Sequence, residues 1–179
     1  MNMWHRRFGG RQWLRGQEGQ SLIETAISMP LLLSIAFNII NWGYLWYMVL
    51  ALSAAPRMGA EYATQGGKVT IAPGTTVVSN LVYENITNSV KGATTSNTSV
   101  RVCTSAKGVV STTNKALCDS FGPSYSFSAV DTDPEAPTFV LHRVDVEYTV
   151  TPVIPGWVFN VILPSNLKFH RQVSMRSLY

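Results

Sequence analysis

Charge is what this sequence has least of. Asp, Glu, Lys and Arg make up 13% of the 179 residues, against 46% apolar ones. A soluble domain carries about 25% charged residues, so the shortage points to a membrane segment. No charged residue lies between Thr25 and Pro56. Cysteine is also scarce: Cys103 and Cys118 are the whole complement. With no C-x-x-C pair and no Cys/His cluster, a zinc site has no ligands to draw on. His5, His142 and His170 are scattered. Asp131, Asp133 and Glu135 offer too few oxygens for calcium and read as a solvated loop. There is no internal repeat and no nucleophile elbow. The sequence nominates no catalytic residue and no cofactor, and it reads as a non-enzyme. The net charge of +4 is concentrated at one end. Met1–Gly19 holds Arg6, Arg7, Arg11 and Arg15 against Glu18, a formal +3. No basic stripe remains elsewhere, which argues against a nucleic-acid partner.

What is present divides into three parts. Residues 1–19 form a polar, Arg- and Gly-rich leader that lacks the apolar core of a secretory signal. The second part starts at Gln20 and carries an apolar run, with few interruptions, from Ala26 through Leu52. A helix needs about 20 apolar residues to cross a bilayer, and this run exceeds that. Pro30 sits inside it, where a kink is expected. Trp42, Tyr44, Trp46 and Tyr47 cluster in the outer half, as in an interfacial aromatic belt. Met58–Gln65 continues the helical pattern, with Gly66-Gly67 as its cap. A helix of that length measures about 70 Å, about twice what a bilayer needs. The assigned boundaries are 20–66 for this transmembrane and assembly helix and 67–179 for an exported domain. The basic leader places the N-terminus in the cytoplasm.

The exported part reads as α+β. After Pro73, Val78, Leu81, Val82, Asn85, Ile86, Ser89 and Val90 recur at helical spacing, predicting an amphipathic helix that ends at Gly92. Val100–Cys103 is a short strand candidate. Thr104–Pro137 reads as a long loop, with one short strand over Ser124–Val130. Thr138–Val150 is the clearest strand. Val140, Val144, Val146, Tyr148 and Val150 share one face, interrupted by His142. Arg143, Asp145, Glu147 and Thr149 share the other, a half-buried sheet pattern. Leu167–Met175 alternates again, which completes an antiparallel sheet. Between these strands, Trp157–Leu163 forms an apolar, Pro-flanked connector too short to span a membrane, free to meet lipid or a partner. Cys103 and Cys118 fall on the exported side, where a pair of thiols is expected to oxidise to a disulfide.

The chemistry is carried by Arg15-Gly-Gln-Glu-Gly-Gln-Ser-Leu-Ile-Glu-Thr-Ala-Ile-Ser-Met-Pro-Leu-Leu-Leu. A basic leader, a glycine, four residues, a glutamate and an apolar run follow in order. A membrane protease needs a small residue before the scissile bond, and Gly19 allows close backbone approach. Glu24 is a carboxylate on an apolar helix, where charge is costly and marks function. This stretch resembles the processing site of type IV prepilins, with the cut after Gly19, Gln20 as the new first residue and Glu24 as the fifth. The resemblance implies a prepilin peptidase as partner, and a meeting of Glu24 with a freed N-terminal amine during subunit packing.

The longer run from Gly19 through Pro30-Leu-Leu-Leu is similar to the start of TadE-like proteins, minor pseudopilins of tight-adherence (Flp-type) pilus systems. The Val-rich strand, the Pro-rich connector and the final strand with Met175-Arg176 resemble that family more weakly. Major Flp pilins have tyrosine after the glutamate and almost no exported domain. Thr25 and the large domain here therefore imply a minor or assembly role. The expected protein is a single-pass component of the bacterial inner membrane, with its C-terminal domain exported or built into a pilus. Its implied partners are other pilins, pseudopilins and the assembly machinery. A rival reading is an uncleaved anchored protein whose periplasmic domain binds a partner. A membrane-anchored enzyme is a third, but no residue supports it.

Overall fold

A computed structural model of the chain describes residues 17–65, 74–123, 125–136, 138–156 and 166–178. Most of the leader, the Gly66-Gly67 cap, Pro73 and the Trp157–Leu163 connector lie outside the described residues. Two helices and four strands follow in order: α1 (Gln17–Thr64), α2 (Thr75–Ser89), β1 (Thr98–Val110), β2 (Lys115–Phe121), β3 (Phe139–Thr149) and β4 (Lys168–Leu178). The strands form one antiparallel sheet in the order β2-β1-β3-β4. The fold is α+β: a long apolar N-terminal helix followed by a small domain with a second helix and this sheet.

α1 is one 48-residue helix that contains both Pro30 and Pro56. Its two halves have different surroundings. Leu22, Ile23, Ile27, Leu31, Leu32, Ile39 and Ile40 are all at least half exposed. Further on, Met48, Leu52, Ala55, Ala60 and Ala63 are buried. They recur at three-to-five-residue intervals and form one face. That face packs with Val78, Val82 and Ile86 of α2 and with Val100, Val102, Val144, Val146 and Tyr148 of the sheet. The second half of α1 is therefore a core element of the domain. Gly59 lets the two helices approach closely: a Cβ built there would lie 2.3 Å from Val82 Cγ2.

α2 stops at Ser89, three residues before Gly92, because Val90 turns extended, with ψ 107°. Leu81, expected on the inner face, is 38% exposed, and Ser79 is buried instead. The expected long loop is corrected more substantially. β1 runs to Val110 and pairs with a second strand, β2, which the sequence does not announce. The register slips between Thr104 and Val109, so the alternation is broken where it would have shown. Gly108 has φ +127° there, and Asn114 closes the hairpin with φ +52°, a conformation asparagine tolerates. Residues 125–130 form no strand.

The outer face of β3 is covered more than the alternation predicts. Asp145, expected on the solvent face of β3, is fully buried. The covering piece is the 125–130 segment. Phe127 lies 4.6 Å from the Arg101 guanidinium and 5.6 Å from the His170 ring. The backbone carbonyl of Ser128 accepts a hydrogen bond from Arg101 Nη2 at 2.6 Å. The acidic loop beyond it is not fully solvated either. Asp133 is 3% exposed and forms an ion pair with Arg176 Nε at 2.8 Å, off the line of a hydrogen bond.

Candidate functional site

Gly19, Gln20 and Glu24 lie in the first two turns of α1. The helix begins at Gln17, so the Gly19–Gln20 peptide falls inside the first turn. Among the described residues, nothing beyond the helix's own neighbouring backbone lies within 4 Å of a Cβ built on Gly19. Glu24 is exposed, and its Oε1 stands 3.5 Å from Gln20 Nε2, a long contact one turn away. Thr25 and Ser28 turn their hydroxyls back onto the helix, donating to Ser21 O at 2.9 Å and Thr25 O at 3.4 Å. Such back-bonding satisfies small polar groups within an apolar helix. After Glu24 the next charged residue along the helix is Arg57. Arg57 pairs with Glu61 at 3.1 Å, one turn on.

The span Gly19–Thr64 contains a stretch long and apolar enough to cross a membrane. Asn41 ties this helix to the segment that follows β3. This asparagine is 2% exposed. It accepts a hydrogen bond from Ile154 N at 3.1 Å and donates to Ile154 O at 3.3 Å. One amide therefore satisfies both backbone groups of a residue far away in sequence. One turn on, Tyr44 donates to Lys91 O at 2.7 Å and Tyr47 to Ser89 O at 2.9 Å. These bonds satisfy carbonyls at and beyond the last turn of α2, which the helix itself leaves unpaired. The sequence predicts an interfacial aromatic belt that includes Tyr44 and Tyr47. In the structure their hydroxyls fasten α1 to α2, and Trp42 and Trp46 remain at the surface. The signal that was available is the pair of asparagines, Asn38 and Asn41, inside an apolar run.

At its opposite end α2 is held by another strand. Thr75 and Thr76 donate to the Asp119 carboxylate, which also pairs with Lys107. An acid beside a helix N-terminus is favourable. The Lys107 amine and then the Thr75 hydroxyl hold the Asp119 carboxyl below the usual carboxylate range, against the opposing effect of partial burial. Cys103 and Cys118 stand directly opposite each other on β1 and β2 and are joined in a disulfide. Behind it lie Ala116 and Val130. His142 is 3% exposed and shares a 2.9 Å hydrogen bond with Ser177. Burial pushes its pKa down. Among the described residues, no three His, Cys, Asp or Glu side chains gather where they could hold a metal.

The arrangement offers a helix surface for packing, in membrane or against other helices, with one carboxylate near its start and a folded domain on its far half. Comparison with known proteins agrees. Residues 19–61 match the family model described as TadE-like protein. No curated protein and no solved structure matches the chain. The match starts at Gly19 and ends within the part of α1 that packs into the domain core. Over that segment the chain is similar to TadE-like proteins.

Proposed function

We propose that this protein is a minor pseudopilin or assembly component of a Tad pilus, cut by a prepilin peptidase after Gly19. The apolar first half of α1 anchors it in the bacterial inner membrane, with the leader cytoplasmic and the domain exported. Cleavage leaves Gln20 with a free amine. Glu24 then supplies the opposite charge to the amine of a neighbouring subunit, and the exposed Leu and Ile side chains pack against similar helices. The observation that carries this reading is the family match beginning at Gly19, on a helix that from Gln20 to Pro56 is mostly apolar and charged only at Glu24. The large domain favours an assembly role over the main shaft subunit.

N-terminal sequencing of the protein from a membrane fraction tests it. The expected first residue is Gln20. A leader intact in material that supports piliation would remove the processing claim and leave the uncut, anchored binding protein. Gly19→Leu is expected to accumulate as membrane-inserted precursor, because a branched side chain obstructs the approach to the scissile bond while the apolar run is unchanged. Normal maturation of that variant, seen as an unchanged band shift on an immunoblot, would place the cut elsewhere.

A further inference from the structure

We propose that the domain has a membrane-facing end, built from Asn41, Trp42, Trp46, Lys91 and Pro152–Ile154, that rests on the lipid surface of the leaflet from which α1 emerges. This rests on the reading of α1 as a membrane anchor and adds a second contact with lipid.

Distance along the helix gives the level. From Gln20 to Asn41 is ~21 residues, or about 31 Å, close to the ~30 Å of a hydrocarbon core. Asn41 therefore stands where the chain leaves the apolar layer. The two hydrogen bonds to Ile154 fix the segment after β3 at the same level. Val153 beside it is 40% exposed, an apolar side chain facing outward at the boundary. Trp42 and Trp46 are 38% and 61% exposed, and exposed tryptophan is typical of this depth. Lys91 is exposed and is drawn to the same level by the Tyr44 hydroxyl on its carbonyl. A cation there suits anionic headgroups. Gly92 joins the two pieces, since a Cβ built on it would lie 3.3 Å from Thr151 Oγ1. One end of the domain thus collects exposed tryptophan, valine and a lysine at the depth where a bilayer accepts each of them. Lipid is the occupant because this end adjoins the membrane-spanning half of the same helix.

The test uses the full-length chain in vesicles of phosphatidylethanolamine and phosphatidylglycerol that carry a nitroxide near the headgroup. A fluorescent amino acid replaces Val153, Ile35 or Val77 in turn. Val77 is 54% exposed at the far end of α2 from Lys91, about 20 Å away along that helix. The probe at 153 is expected to lose most of its emission to the nitroxide, and the probe at 77 to keep its own. Quenching at 35 without quenching at 153 overturns the proposal and leaves the anchor standing. Absence of quenching at 35 removes the anchor and the proposal together. Equal quenching at 153 and 77 also overturns it, since no particular end of the domain would then face lipid.

Discussion

Arg101 of β1 and Asp145 of β3 are direct cross-strand partners, and the Arg101 guanidinium holds the Asp145 carboxylate at 2.8 Å through Nη2 and 3.2 Å through Nε. Arg143 takes the other oxygen at 2.9 Å, and His170 stands 3.4 Å from it. Asp145 is fully buried, so its charge depends on these partners. The pair sits on the sheet face opposite the helices, under Phe127 and Ser128. It binds the covering segment to the sheet.

Arg101→Met is expected to destabilise the domain by about 3 kcal/mol, the magnitude seen when one partner of a buried pair is removed. Urea denaturation of the detergent-solubilised chain reads this directly. The double change Arg101→Met with Asp145→Leu should recover part of the loss, since the fully buried carboxylate is then gone. A single-variant loss below about 1 kcal/mol, typical of an exposed pair, would show that Arg143 alone suffices.

Val82 fills the space a side chain on Gly59 would need, so Gly59→Val should force α1 and α2 apart. Overpacking of this kind costs about 1–3 kcal/mol. Shrinking the neighbour should help: Gly59→Ala with Val82→Ala is expected to be more stable than Gly59→Ala alone. Thermal unfolding of the three variants decides it. Independent, additive effects would mean that the two side chains do not compete for space.

His142 gives the domain an acid-side sensitivity. Its folded pKa is depressed below 6.5 because burial disfavours the imidazolium. At pH values below 6.5 the unfolded chain takes up a proton that the folded one resists. The stabilisation is therefore complete above 6.5 and lost as pH falls through the depressed folded value. The unfolding midpoint measured from pH 8 down to 5 should decline, and His142→Gln should flatten that decline. An equally steep decline in the variant would assign the sensitivity to other groups.

Glu24→Ala separates anchoring from assembly. Removing a charge from an apolar helix eases insertion, so membrane abundance should hold or rise. A neighbouring amine left without its opposite charge in a poorly hydrated place is costly, so co-purification with other pilus components should fall. Normal co-purification and piliation would reduce Glu24 to a helix-end charge.

The parts legible in sequence are those with unbroken period. The apolar run of α1, the three-to-four spacing of Val78, Val82 and Ile86, and the alternation over Val140–Val150 each correspond to an element of the fold. β2 and the outer half of β1 were not legible. Their residues are small and polar, and the slip after Thr104 breaks the two-residue period that would reveal them. The burial of Asp145 was hidden for another reason: its cover comes from residues with no regular pattern, brought there by Arg101 and Phe127. At the candidate site, Gly19 and Glu24 are linked by local spacing, which a sequence displays. The Asn41–Ile154 bridge joins residues 113 positions apart, and no local pattern encodes that.

Because α1 continues unbroken from Glu24 into the domain core, it works as a crankshaft. The azimuth of the domain is set by the number of residues between the carboxylate and Asn41. One inserted residue would swing the domain by about 100° around the helix axis and raise it by about 1.5 Å. Seven would return it to within about 20° of its original bearing, lifted by about 10 Å. Chain length in that interval therefore fixes which side of the domain each neighbouring helix meets, independently of the composition of either.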